Sequence, residues 1–250
     1  MASTIAKVSS KWWSPRLQKE VLTCRWGHAG TPVLLFPTAG GDAEECERFH
    51  MMKVLDELLS SGRIRVYSSD SVAGRVWTDG ESSGAHRAWM QGQYDAFIAQ
   101  EVVPAIRKDC GDPTATAITA GASIGAFNAV AAVCRHPDLF HAGVGMSGTY
   151  DLTRWMDGAH TLDFHYASPL HFVPQLPEGS PQLEGLRKRF VILATGEGDY
   201  EAPWESWQVG QVLGSRRIPN RVDFWGESYR HDWNTWRDML PKYLDELTKT

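Results

Sequence analysis

Cysteine is scarce in this sequence. Four residues in 250, Cys24, Cys46, Cys110 and Cys134, stand without any C-x-x-C spacing. That excludes a disulfide-stapled scaffold and a thiolate zinc site, and leaves reduced structural thiols as the simplest reading. Long apolar runs are missing as well, none approaching the ~18 residues that a membrane span needs. The first residues, Met1-Ala2-Ser3-Thr4-Ile5-Ala6-Lys7, lack the continuous apolar core of a signal peptide. A cytoplasmic protein with no membrane partner is expected. Charge of one sign is not in excess either: 25 Lys and Arg against 30 Asp and Glu leave a net charge of −5. The basic clusters Arg187-Lys188-Arg189 and Arg216-Arg217 are short enough to be solvated surface, so nucleic acid is not an expected partner. Repeats, low-complexity tracts and linkers are also absent, and one domain over residues 1–250 follows.

What the chain does have is an alternation of short apolar runs with helical periodicity. Val33–Phe36, Ile64–Tyr67, Thr114–Ala120, Ala142–Met146, Phe190–Ala194 and Val222–Trp225 read as strands. Between them lie candidate helices after Asp42, from about Ala85 to Lys108 with a kink at Pro104, over Ile124–Arg135, over Trp204–Leu213 and at the C-terminal end. The helix after Asp42 is expected to turn Phe49, Met52, Leu55 and Leu59 inward, and Trp77 is expected in a loop. This order predicts an α/β fold, a mostly parallel central sheet with helices on both faces. Residues 152 to 186 have no clear period and read as a short lid-like insertion or pocket wall.

Gly121-Ala122-Ser123-Ile124-Gly125 falls where one of these strands runs into a helix rich in small residues. A serine there sits on a strained strand-to-helix turn that lifts its Oγ above the sheet, and side chains at the flanking glycines would strike neighbouring backbone. The free N–H groups of the following helix would face the reacting centre, where negative charge must develop. An acid and a base follow in chain order. Thr195-Gly196-Glu197-Gly198-Asp199 closes one strand, and Gly226-Glu227-Ser228-Tyr229-Arg230-His231 closes the next. Ser123 is the expected nucleophile, His231 the base and Asp199 the orienting acid, with Glu197, Glu201 and Asp151 as alternatives for the acid. Backbone N–H groups of Ile124 and of the turn Thr38-Ala39-Gly40 are the expected oxyanion donors, Ala39 ahead of Thr38.

Eleven tryptophans are many for this length. Trp77, Trp155 and Trp204 are candidates for an aromatic substrate pocket, and Trp207 and Trp233 lie in segments near the same mouth; core filling is the competing role for each. His136, His141, His160, His165 and His171 crowd one stretch, but without H-E-x-x-H or a carboxylate at ligand spacing no metal is expected. Gly40-Gly41 is not followed by a Gly-Lys-Ser/Thr or G-x-G-x-x-G pattern, so a phosphate cradle is not expected.

With elbow, acid turn and histidine located, the sequence resembles the putative-esterase branch of the α/β-hydrolase superfamily, the group that includes S-formylglutathione hydrolase and feruloyl-esterase-like proteins. The resemblance is carried by Gly121-Ala122-Ser123-Ile124-Gly125-Ala126, by Gly196-Glu197-Gly198-Asp199, similar to that group's G-x-x-D turn, and by His231-Asp232-Trp233 with Trp236 beyond. It implies the α/β-hydrolase fold and a carboxylesterase that uses Ser123, Asp199 and His231 without a cofactor on a small or medium ester. Pro37-Thr38-Ala39-Gly40-Gly41 stands where better-known members have His-Gly-Gly-Gly. An acyltransferase or thioesterase with the same acyl-enzyme, and a non-catalytic hydrolase-like binding protein, are the alternative functions.

Overall fold

Aliphatic runs such as Val33-Leu34-Leu35-Phe36 carry no polar face, so their strands have to be covered on both sides. In the computed structural model, which describes residues 5–249, they are. Eight strands, β1 (Lys7–Ser14), β2 (Lys19–Trp26), β3 (Thr31–Phe36), β4 (Ile64–Ser69), β5 (Ala117–Ala122), β6 (Phe140–Met146), β7 (Phe190–Thr195) and β8 (Asn220–Phe224), form one sheet in the order β1-β2-β4-β3-β5-β6-β7-β8. From β4 to β8 every pairing is parallel, whereas β1 and β2 form an antiparallel hairpin that joins β4 antiparallel.

Strand alternation divides the core in two. Leu34 and Phe36 join Phe127, Val130, Phe97 and Val191 on one face; Val33 and Leu35 join Leu55, Val66, Met239 and Tyr243 on the other. The second face is covered by α1 (Glu45–Arg48), α2 (Met51–Val54), α3 (Asp56–Ser60) and the last helix. The first is covered by α4 (Val72–Thr78), α5 (Gly84–Phe97), α6 (Val103–Cys110), α7 (Ile124–Arg135), α8 (Leu162–Ala167), α9 (Pro169–Phe172), α10 (Pro181–Leu186) and α11 (Pro203–Ser215). The last helix, α12, spans Trp233–Leu247. Among the described residues, no helix is long and apolar enough to cross a membrane. All four cysteines are free, and burial pushes the Cys134 thiol on α7 up to about 12.

Several elements differ from the sequence expectation. The hairpin β1–β2 has no counterpart there because four consecutive residues of β1, Val8 to Lys11, are exposed and present no alternating apolar face. The helix expected after Asp42 is three short ones, broken where His50 takes a left-handed φ of 62°. Phe49 consequently points outward, 43% exposed, and stacks on Trp233 with ring centroids 4.8 Å apart. Trp77 belongs to α4, not to a loop. β5 begins at Ala117, since Asp112 Oδ1 accepts from both the Thr114 N–H (2.8 Å) and its hydroxyl (2.7 Å), holding those residues in a turn. Ahead of Pro104 the long helix passes through a π-helical turn, Ile98–Val102, which makes room for a ring that lacks an N–H and would collide with the carbonyl four residues back.

Residues 152–186 are a rooted wall. Leu152, Met156, Phe164, Phe172, Leu183 and Leu186 are all buried in the first core.

Candidate active site

The turn between β5 and α7 holds Ser123 at φ 56°, ψ −124°, a conformation that costs a non-glycine residue roughly 1–3 kcal/mol. Its neighbours impose it. A Cβ at Gly121 would stand 2.2 Å from the Gly125 carbonyl oxygen, and one at Gly125 would stand 2.5 Å from that of Phe36, so the turn closes this tightly only with glycine at both places. Ser123 N–H donates to Met146 O (3.0 Å), and Ser123 O accepts from Ala126 N (3.1 Å) and Thr149 N (3.2 Å). Backbone bonds to β6 and to the loop after it therefore lock the serine, which lines a cavity of about 420 Å³.

The same cavity is lined by Ile124 and Ala39. As the first residue of α7, Ile124 has no intrahelical acceptor for its N–H. Thr38 is different: its N–H donates to Glu45 Oε2 (2.8 Å) and its hydroxyl to Glu45 Oε1 (2.5 Å). This buried carboxylate uses the Thr38 amide and corrects its place among the oxyanion donors, while fixing the turn that offers Ala39. Gly74 of α4 presses on the other side, where a Cβ would lie 3.2 Å from Ala39 Cα.

His231 also lines the cavity, half-buried, with its ring edge-on to Trp236 at 5.2 Å. The carboxylate behind the imidazole belongs to Glu201. Its side chain is 1% exposed, and Oε2 lies 3.9 Å from His231 Nδ1. Ser147 Oγ donates to Glu201 Oε1 (2.6 Å) and accepts from Trp236 Nε1 (3.0 Å); the Thr195 hydroxyl lies 3.2 Å from Oε2. Asp199, expected in that position, is corrected. Its carboxylate is 66% exposed and faces Arg230 at 3.5 Å, while only its backbone carbonyl reaches the histidine, accepting from His231 N at 3.0 Å. Tyr200, at φ 65°, lies between the two acids, and the Glu201 side chain beyond it turns back to the Thr195 and Ser147 hydroxyls. Glu197 is exposed, and Asp151 Oδ1 is engaged by the Thr153 N–H and hydroxyl. Between Ser123 Oγ and His231 no hydrogen bond is present among the described residues; such contacts are often long before substrate enters.

Of the expected aromatic walls, Trp77 forms the floor: it is wholly buried and donates through Nε1 to Gln91 Oε1 (2.9 Å). Trp155 stands half-buried on one side, and Trp204 is 65% exposed at the rim. Trp207 and Trp233 do not reach the cavity. Glu205, deeper in the wall, accepts from the Tyr150 and Asp151 amides and so anchors the loop after β6. Burial, then the Glu205 charge, raises the Tyr150 phenol far above its ordinary value, so it stays protonated. The histidines of the 136–171 stretch go elsewhere: His136 pairs with Asp95 at 2.9 Å, His141 with the Thr116 hydroxyl at 3.0 Å, and His165 stacks near His171. Among the described residues no group of three or more His, Cys, Asp or Glu side chains is arranged to hold a metal.

A family model described as "Esterase: Putative esterase" matches residues 47–247. The chain belongs to the esterase family. The family's description is that of an esterase, and the chain is an enzyme of that kind. No curated protein sequence matches it. Similar solved structures include a ferulic acid esterase, 19% identical over 98% of each chain with a TM-score of 0.75. Another is an S-formylglutathione hydrolase from Agrobacterium tumefaciens, 11% identical, covering 99% of this chain and 96% of that one, also at 0.75. A third is FphF of Staphylococcus aureus, a fluorophosphonate-binding serine hydrolase, 12% identical over 98% and 99% with a TM-score of 0.68. At such identities the likeness is one of fold, the α/β-hydrolase fold.

Ser147 and Glu45 are residues of this site that the sequence reading did not name, and Thr195 and Trp236 entered it only as parts of the acid turn and of the segment after the histidine. One signal was available: Thr195 ends β7 and Ser147 directly follows β6, each a hydroxyl closing an otherwise apolar strand on the edge that carries Ser123.

Proposed function

We propose that this esterase hydrolyses a small or medium carboxylic ester through an acyl-enzyme, with Ser123 as nucleophile, His231 as general base and acid, and Glu201 as the orienting carboxylate. The observation that carries the proposal is the convergence of a strained serine and a carboxylate-backed imidazole on one cavity. Ser123 Oγ attacks the ester carbonyl while the imidazole takes its proton. With Nδ1 turned to Glu201, Nε2 is the nitrogen available for that transfer. The negative charge that develops on the carbonyl oxygen is met by the Ile124 and Ala39 N–H groups, a donor pair each member of which is worth about 10²–10³ in kcat. His231 then protonates the leaving alcohol, and water, activated by the same imidazole, releases the acid. No step requires a cofactor. Tyr200, 93% exposed, and Trp204 leave the mouth open to water, which favours hydrolysis over transfer to another acceptor.

Labelling with a fluorophosphonate probe and turnover of p-nitrophenyl esters test this reading. Native protein is expected to label and turn over, whereas Ser123→Ala loses both and His231→Ala loses at least about 10³–10⁴ of kcat. Labelling that survives in Ser123→Ala ends it.

A further inference from the structure

Among the described residues, Arg154 is the only arginine or lysine on the wall of the cavity that holds Ser123 and His231. Its guanidinium lies over the Trp155 ring, 4.0 Å from the centroid, and that stack is its one interaction among the described residues. Nearby cations are already engaged. Arg87 donates to the Trp155 carbonyl (2.6 Å) and the Asp79 carbonyl (2.7 Å), and Arg230 faces Asp199. The cavity's two carboxylates are equally committed, Glu201 to Ser147, Thr195 and His231, Glu205 to the Tyr150 and Asp151 amides.

The backbone under Arg154 is held firmly. Asp151 Oδ1 accepts from the Thr153 N–H (3.0 Å), Arg87 grips the next carbonyl, and α5 packs so closely that a Cβ at Gly84 would meet Met156 O at 2.2 Å. A guanidinium held over an indole face, with no hydrogen bond to the protein, has N–H groups to spare, and its fork matches two carboxylate oxygens at once. Holding the side chain there beforehand lowers the ordering cost of binding. Because the chain carries a net charge of −5, an anion has no general attraction to it, so any preference has to be local.

We infer that Arg154 is a specificity residue that takes a carboxylate carried by the ester substrate, with Trp155 beside it as a platform for the adjoining planar or aliphatic portion. The inference rests on the esterase reading of this same cavity. The carboxylate belongs either to the acyl part or to the leaving alcohol, and two ester pairs separate these sources.

Calorimetric titration of Ser123→Ala protein, which binds intact ester without turnover, compares mono-4-nitrophenyl glutarate with 4-nitrophenyl methyl glutarate, and 4-acetoxybenzoate with its methyl ester. In one pair the charged ester is expected to bind about tenfold more tightly, as a partly desolvated charge-assisted pair should. That pair identifies the portion facing Arg154. Adding Arg154→Gln should bring the ratio to about one, Arg154→Lys should restore part of it, and Arg154→Glu should invert it. Equal binding within both pairs, or discrimination that survives Arg154→Gln, overturns the inference. Turnover of the same esters by native and Ser123→Ala protein keeps the two readings apart: hydrolysis that persists without Ser123 sinks the nucleophile assignment and leaves the affinity ratios standing.

Discussion

The elbow after β5 and the acid turn after β7 are built alike and differ in where their partners come from. Each follows a parallel strand at the same sheet edge, and each depends on two glycines that let backbone approach closely. At the elbow, the Gly121 contact is with Gly125, four residues away. At the acid turn, a Cβ on Gly196 would stand 2.1 Å from Tyr229 O, and one on Gly198 would stand 2.5 Å from Glu227 O. Gly198 N also donates to Tyr229 O (2.9 Å) and Glu197 N to Gly226 O (3.0 Å). The first turn combines a local contact, Gly121 against Gly125, with the Phe36 and Pro37 carbonyls that press on Gly125 from β3 and the turn after it. The second is half of a two-loop assembly whose other half lies some thirty residues downstream and carries the histidine.

The largest effect that could break this comparison concerns the two acids. Glu201→Gln should lower kcat about 10³–10⁴-fold, the loss expected when an imidazole loses its orienting charge, whereas Asp199→Asn should stay within about twofold. Ester hydrolysis rates of the two variants decide it, and the reverse order would return the acid to the exposed turn. Next come the glycines. Gly198→Ala should part the two loops and lower kcat about 10²-fold through a misplacement of the order of 1 Å. Gly121→Ala should instead show mainly in denaturant unfolding, with a loss of about 3 kcal/mol as the elbow is overpacked. A Gly198→Ala variant with native kinetics would mean the loops do not act as one unit.

Ser147→Ala removes the hydroxyl between Trp236 and Glu201. It should cost about 1–3 kcal/mol of stability by leaving buried polar groups unpaired. A kcat loss of about tenfold with little change in KM is the accompanying expectation, read by steady-state kinetics with a chemical-denaturation curve.

The smallest effect concerns the helix that follows the histidine. Asp232 Oδ1 caps α12, accepting from Asn234 N (2.9 Å) and Thr235 N (3.1 Å). Burial pushes this carboxyl up, but those amides and the Asn234 side chain outweigh it and leave the pKa below the ordinary value. A depressed carboxylate contributes stability that is full above its unfolded pKa, about 3.9, and fades as pH falls through the folded one. Asp232→Ala should therefore cost about 1 kcal/mol at neutral pH, and its Tm difference from native should shrink below pH 4.

Much of this site could be read before any fold was known. G-x-S-x-G at a strand-to-helix junction points to Ser123 and Ile124 because the contacts at Gly121 lie within five residues, although those at Gly125 are with the Phe36 and Pro37 carbonyls. His231 is legible from its place between β8 and α12. The Thr38 amide was misread because nothing in Pro37-Thr38-Ala39 announces that Glu45, seven residues on, folds back to take it. Asp199 was expected beside the imidazole, where the structure has Glu201, for a similar reason. Asp199 and Glu201 are two residues apart in one glycine-bearing turn, and either carboxylate could have faced the sheet.

By itself, then, the sequence determined the parallel α/β order, the strained turn at Ser123 and the place of His231 between β8 and α12, since apolar period and glycine spacing act over one or two turns of chain. Tertiary structure decided which carboxylate stands behind the imidazole, that the Thr38 amide is taken by Glu45 and which tryptophans wall the cavity. Those choices depend on hydroxyls from β7 and the end of β6, and on a histidine loop docking against the acid turn, contacts that exist only once the sheet has brought distant segments to one edge.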